Sequence, residues 1–118
     1  MAIDHDAVWK ALADETRREI LDQLRAGPKT TGALVECFPD LSRFAVMKHL
    51  EVLCEAGLVN TRREGRQRYS SLNAAPLRAV VERWIGKYDG FWANTLLRVK
   101  DDAESGADTA PRRRKKQA

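Results

Sequence analysis

The sequence predicts a mainly α-helical fold carrying one small β-hairpin, and three observations support that expectation. Apolar residues recur at helical spacing between Asp4 and Glu55, two short β-compatible runs flank Glu64-Gly65, and helical spacing returns from Ala75 for about thirty residues. At 118 residues the chain has the size of one domain, and 43% apolar with 32% charged residues is the make-up of an ordinary soluble protein. A core that small often gains stability by pairing.

Val8, Trp9, Leu12 and Ala13 place a first helix over Asp4 to Ala13. Asp14 offers its carboxylate as the N-cap of a second helix, ETRREILDQLRA. Ile20, Leu21 and Leu24 make that helix's inner face, and Gly27-Pro28 stops it. Thr30 and Thr31 are the next N-cap candidates, for a short helix with Leu34, Val35 and Phe38 inward, ended by Pro39-Asp40. The connection from Phe38 to Ser42 is so short that two helices must cross steeply.

Ser42 caps a fourth helix, and Gly57 fits the glycine position after its end. Val46, Leu50 and Leu53 form its inward stripe. Phe44, Met47, Lys48, Glu51 and Glu55 lie on the far side, with Arg43, His49 and Cys54 on the flanks. LVNTRR and RQRYSSL then read as a hairpin, with Arg62, Arg63, Arg66 and Arg68 around its tip. The final helical period runs through Leu77, Val80, Val81, Trp84, Ile85, Tyr88, Phe91, Trp92, Leu96 and Val99. A helix this long and apolar exceeds what a small monomer can cover, which makes it an expected oligomer interface. The folded domain is expected over 1–104 and a disordered basic tail over 105–118.

The net charge of +4 is a property of the tail. Of 21 basic and 17 acidic side chains, five and one lie from Ser105 onward, which leaves residues 1–104 neutral. Local distribution says more. Ser42 to Tyr69 holds six basic residues against three acidic ones, whereas Ile3 to Thr16 holds four acidic residues and one lysine. No apolar run approaches the ~20 residues that cross a bilayer, and MAIDHDAVW lacks the build of a signal peptide. A cytoplasmic protein without a membrane partner is expected. With no paired carboxylates, no nucleophile beside a base and no phosphate-binding glycine loop, an enzyme is not expected.

Two helices joined by a tight turn, the second with a polar outer face, followed by a basic hairpin, form the arrangement of a winged helix-turn-helix. An α-helix fits the major groove, hydroxyls near its cap can bond phosphates, and a basic wing reaches the adjacent backbone. Double-stranded DNA is the expected partner. Paired through its terminal helices, the protein would present two reading helices to half-sites about one helical turn apart.

The motifs LADETRREIL, LSRxAVxKHLxVLxEAGLV and GRxRxY, within a match from Val8 to Trp92, resemble those of the ArsR/SmtB family of bacterial transcriptional repressors. The resemblance implies a homodimeric winged helix paired through its first and last helices, with Val8, Trp9, Leu12, Leu77, Val81, Trp84, Ile85, Tyr88, Phe91 and Trp92 at the interface. It implies release of operator DNA by an inducer, here an unknown small molecule. It also implies that Arg43, Phe44, Met47 and Lys48 face the major groove. Ser42, His49, Thr30 and Thr31 would then lie nearer phosphates, and Arg62, Arg63, Arg66 and Arg68 would hold the flanking backbone. Relatives commonly carry proline or serine where Phe44 stands and serine where Met47 stands. Phe44 and Met47 therefore have two readings, packing against a neighbouring element or contact with thymine methyl groups.

The chain resembles the branch of that family without metal ligands. A thiolate pair needs two cysteines about two residues apart, and Cys37 stands alone, while no histidine follows Ala75. Neither metal nor cofactor is expected. Cys37 and Cys54 read as packing thiols, with a redox-responsive pair as the alternative. Trp84, Phe91 and Trp92 read as interface core, with a ligand cage between paired helices as their alternative. A protein-interaction adaptor that keeps the winged-helix shape is the competing function, although such an adaptor has no need of a basic reading face.

Overall fold

The computed structural model describes residues 3–104, and the basic tail expected over 105–118 lies outside them. The chain divides into two units between Arg83 and Trp84. The first contains α1 (His5–Leu12), α2 (Glu15–Leu24), β1 (Lys29–Thr30), α3 (Thr31–Cys37), α4 (Arg43–Glu55), β2 (Val59–Glu64), β3 (Gln67–Leu72) and α5 (Ala75–Val80). The strands form an antiparallel sheet in the order β1-β3-β2.

Each helix of the first unit before α5 starts on a side chain that accepts a hydrogen bond from an otherwise unpaired N–H. Asp4 accepts from Ala7, Asp14 from Arg17, Thr30 from Ala33 and Ser42 from Ala45. Three glycines with positive φ mark the ends and turns, Gly27 at 141°, Gly57 at 77° and Gly65 at 62°. At Gly57 the left-handed backbone lets the chain leave α4 and enter β2, where an L side chain would be strained.

The core is aliphatic. Val8, Ile20, Leu34, Val46, Leu53, Leu58 and Val80 are fully buried, with Leu21, Leu24 and Leu50 beside them. The inward stripe of α4 is thus Val46, Leu50 and Leu53, the residues its periodicity predicts. Asn73 then closes the unit by donating from Nδ2 to the Gly57 carbonyl at 2.9 Å and from its backbone N–H to Leu58 at 2.8 Å.

The α1–α2 corner is held by charge. Arg17 donates from Nε to the Ala11 carbonyl at 2.8 Å and from Nη2 to Lys10 at 3.0 Å, and Arg18 donates to Leu12 at 2.6 Å. Two cations therefore sit on the negative end of α1. The Arg17 Nη1 lies 3.4 Å from His49 Nδ1, and that nitrogen is 3.8 Å from Asp14 Oδ2. Burial pushes the Asp14 carboxyl up, but the Arg17 N–H and the charges of His49 and Arg17 outweigh it and hold the group below its ordinary value.

Three expectations need correction. The residues after Ala75 are helical but are not one α-helix: α5 passes into a π turn at Val81–Ile85, a 3₁₀ turn at Gly86–Tyr88 and then α6 (Asp89–Glu104). Gly86 and Gly90 each weaken a helix by about 1 kcal/mol relative to alanine, and no residue from Val81 to Ile85 is buried to offset that. Strand β1 was not expected, because two residues carry no periodicity and Lys29 and Thr30 become a strand only through pairing with Ser70 and Tyr69. Val8, expected at a dimer interface, is fully buried in the core, and the first-helix apolar residue on the surface is Trp9, 41% exposed.

Replacing Asp14 by alanine removes the α2 cap and should cost about 0.5–2 kcal/mol in urea unfolding. Because the folded pKa is depressed, the charge-dependent part of this stabilisation is intact above the ordinary value of 3.8 and is lost as pH falls through the lower folded value. The D14N variant keeps a cap acceptor, so its stability relative to wild type should rise as the pH drops below that range; a constant gap would exclude the carboxylate's charge.

Candidate nucleic-acid interface

The candidate interface is built by α4 and the inner face of the hairpin. Side chains alternate along β2 and β3, and the register pairs Val59 with Leu72, Thr61 with Ser70 and Arg63 with Arg68. The face turned towards α4 therefore passes from core aliphatics through hydroxyls to arginines as it nears the tip. Gly65, at φ 62°, makes the tight turn there.

Thr31, Gly32, Arg43, Met47, Arg63, Arg66, Gln67 and Arg68 line a cleft of about 250 Å³ between the start of α3, the start of α4 and the hairpin. Four of these residues are arginines and none is acidic. Among the described residues, Arg43, Arg63, Arg66 and Arg68 make no ion pair. Guanidinium groups gathered without counter-charges are a site for phosphates and for guanine edges.

On the outer face of α4, Phe44 is 69% exposed and Met47 45% exposed, so neither packs into the core. The Lys48 ammonium lies 5.4 Å from the Phe44 ring centre and 3.7 Å from Glu51 Oε2. Arg43 is exposed in the first turn of α4, and the Ser42 hydroxyl accepts from Ala45 while keeping its own proton to donate. Thr30 caps α3 in the same manner.

Two residues expected at DNA, His49 and Arg62, stand elsewhere, and Thr31 lines the arginine cleft but is nearly closed off. Thr31 is only 7% exposed, because the first turn of α3 lies against β3. His49 faces inward, its side chain 22% exposed between Arg17 and Asp14, so its polarity serves the helix corner. Arg62 lies on the opposite face of the hairpin from Arg63, 3.3 Å from Glu64 Oε1 and 5.1 Å from the Tyr69 ring centre. Sequence reading missed Gln67, which lines the arginine cleft at the turn; only the two-residue tip of the hairpin could have signalled it.

The cysteines are free and have different neighbours. Cys37 Sγ lies 3.6 Å from Gln23 Oε1 on α2, whereas Cys54 is partly buried beside the sheet. Burial, opposed by the nearby Arg68 charge, pushes the Cys54 thiol up and away from the thiolate that redox chemistry needs. Leu12 and Leu77 pack against the core, while Val81, Trp84, Ile85, Tyr88, Phe91 and Trp92 are exposed. In the second unit Trp84 meets Tyr88 edge-on at 5.9 Å and Phe91 meets Trp92 at 5.7 Å.

A tight helix pair whose second helix is flanked by an arginine-rich hairpin defines the winged helix-turn-helix class of DNA-binding proteins. Residues 12–62 match the family model described as a helix-turn-helix domain. The chain is 41% identical over 103 residues to the HTH-type transcriptional regulator Rv2034 of Mycobacterium tuberculosis, spanning 87% of this chain and 92% of that one. It is 39% identical over 78 residues to the transcriptional repressor SdpR of Bacillus subtilis, spanning 66% and 84% of the two chains. The solved structure of an ArsR-like transcriptional regulator from Rhodococcus sp. RHA1 superposes with a TM-score of 0.66 at 34% identity, over 85% of this chain and 90% of that one. The chain belongs to the ArsR/SmtB family of winged-helix transcriptional regulators. Its activity is accordingly sequence-specific DNA binding in transcription regulation.

The division of α4 into faces has a direct check. Leu53→Ala should lower stability by about 2–5 kcal/mol in denaturant titration, whereas Phe44→Ala should leave the midpoint within about 0.5 kcal/mol of wild type. A comparable loss from Phe44→Ala would place that ring in the core.

Proposed function

We propose that the protein is a homodimeric repressor acting in the cytoplasm on an imperfectly palindromic operator, its own promoter being the first fragment to examine. The observation that carries this reading is the cleft of four arginines, without ion pairs among the described residues, beside the exposed face of α4. In this reading Arg43 and Lys48 contact base edges, Phe44 and Met47 meet thymine methyl groups, and Arg63, Arg66 and Arg68 hold phosphates. Ser42 and Thr30 supply hydroxyl contacts at the helix starts. Arg62 reaches the backbone only if DNA displaces Glu64. An adaptor would gain nothing from uncompensated charge at that place.

Pairing is supported by apolar surface that one chain leaves in water. Trp9 in the first unit and Trp84, Tyr88, Phe91 and Trp92 in the second are all exposed. Aromatic side chains of this size are what protein interfaces enrich. A two-fold pair brings two copies of α4 to successive turns of one DNA face.

Titration of the upstream promoter fragment across a salt series should show binding tighter than to scrambled DNA, with log affinity falling linearly in log salt. Arg43→Ala should weaken operator binding by about 1–3 kcal/mol and relax the preference at one position, with the oligomeric state unchanged. Equal affinity for promoter and scrambled DNA at moderate salt would overturn the reading. Trp84→Ala or Phe91→Ala should shift sedimentation towards monomer; an unaltered dimer would move the interface elsewhere.

A further inference from the structure

A second cleft lies deeper than the arginine cleft, between α4 and the inner face of the hairpin. Its volume is about 280 Å³, and Thr31, Met47, Leu50, Cys54, Thr61, Arg68, Ser70 and Glu51 line it. That size is near the lower end of ordinary small-molecule sites. One wall is apolar, formed by Met47, Leu50 and Cys54. The opposite wall carries Ser70 and Thr61, which face each other across the β2–β3 ladder, and Arg68 two residues further along β3.

Two features of the lining are unspent within the fold. The Ser70 side chain is fully buried, and its Oγ makes no hydrogen bond among the described residues. A buried hydroxyl in that condition is costly unless something bonds it. Arg68 makes no ion pair among the described residues. Glu51, the only carboxylate in the lining, is more than half exposed and lies 3.7 Å from the Lys48 ammonium, so its charge is at the rim and already offset. One cation, one orphaned hydroxyl and a compact apolar wall fit a molecule with the same three parts.

We propose that this cleft binds a small organic monoanion with a compact apolar body, of the arylcarboxylate type, with its anion on Arg68, a polar edge on Ser70 and its ring against Met47, Leu50 and Cys54. Met47 and Arg68 also line the outer arginine cleft, so an occupant engages two residues proposed above to contact DNA. Ligand and operator then compete for the same side chains, and the ligand acts as an inducer. That second step rests on the proposed DNA contacts, whereas the binding step does not.

The full chain, isotope-labelled and free of DNA, is titrated by NMR with benzoate, benzyl alcohol and benzylammonium. Benzoate should give saturable shifts at Cys54, Thr61 and Ser70, benzyl alcohol weaker ones and benzylammonium the weakest. Arg68→Gln should reduce benzoate affinity by about tenfold, the scale of one charge-assisted hydrogen bond. Ser70→Ala should also weaken benzoate while leaving the melting temperature equal or higher, since the hydroxyl it removes has no partner among the described residues. Preference for benzylammonium, or shifts confined to the aromatic residues from Trp84 to Trp92, would overturn the site. On a promoter fragment, benzoate should raise the apparent Kd, and Ser70→Ala should reduce that effect. Benzoate binding with unchanged DNA affinity would overturn the inducer step alone. Failure of the fragment to bind at all would overturn the operator reading and leave the cleft's NMR result standing.

Discussion

One small polar junction at the corner of α1 and α2 ties three helices together. Asp14 caps α2, Arg17 covers the last carbonyls of α1, and both meet His49 on α4. Aliphatic packing holds the buried stripe of α4 inward, and the polar junction adds directional contacts to it. A guanidinium that bonds two carbonyls and approaches an imidazole has few acceptable geometries. It adds a directional contact to the rotation set by the buried stripe, with Val46, Leu50 and Leu53 inward and Arg43, Phe44 and Met47 outward. The motif LADETRREIL is the sequence form of this junction. It supplies the cap, the two carbonyl-binding arginines and the start of the buried stripe within one run.

From that fixed helix the hairpin follows as a graded surface. Successive pairs on its inner face are Val59 with Leu72, Thr61 with Ser70 and Arg63 with Arg68. Strand alternation means these pairs share one face while Arg62, Glu64 and Tyr69 occupy the other. The gradient from buried to charged keeps the wing anchored at its base and basic at its tip. It also explains why four arginines close in sequence have different surroundings. Arg63 and Arg68 sit opposite each other in the open cleft, while Arg62 already has a carboxylate and a ring beside it.

What could be read from residues alone was whatever local chemistry decides. Asp14, Thr30 and Ser42 were legible as caps because their short side chains accept hydrogen bonds from N–H groups that the helix leaves free. The α4 stripe and the hairpin turn at Gly65 were legible from period and from glycine's freedom. Side-chain destinations decided by distant partners were not. His49 sits on the flank of the α4 wheel, and only the fold brings it to Arg17 and Asp14, thirty-two and thirty-five positions earlier in the numbering. Thr31 and Val8 were placed at DNA and at the interface by the family resemblance, and both are buried by elements far away in sequence. The break in the last helical run was invisible because apolar period persists through Val81 to Ile85, where no core residue meets it.

The distribution of aromatic residues sets the remaining constraint. The fully buried side chains of the first unit are aliphatic apart from Ser70, and all three tryptophans of the chain are about half exposed. Large aromatic rings bury more apolar area than aliphatic side chains, so a chain that leaves its tryptophans half exposed forgoes a large contribution to its own stability. That pattern fits a protein whose folded unit is completed by a second copy, and the proposed homodimer uses Trp9 and the aromatics of the last helices for that purpose. Two-fold pairing also turns a modest reading helix into a specific one. A single α4 offers a few base contacts, while two copies held at fixed spacing must both find their half-sites, which multiplies the discrimination each provides.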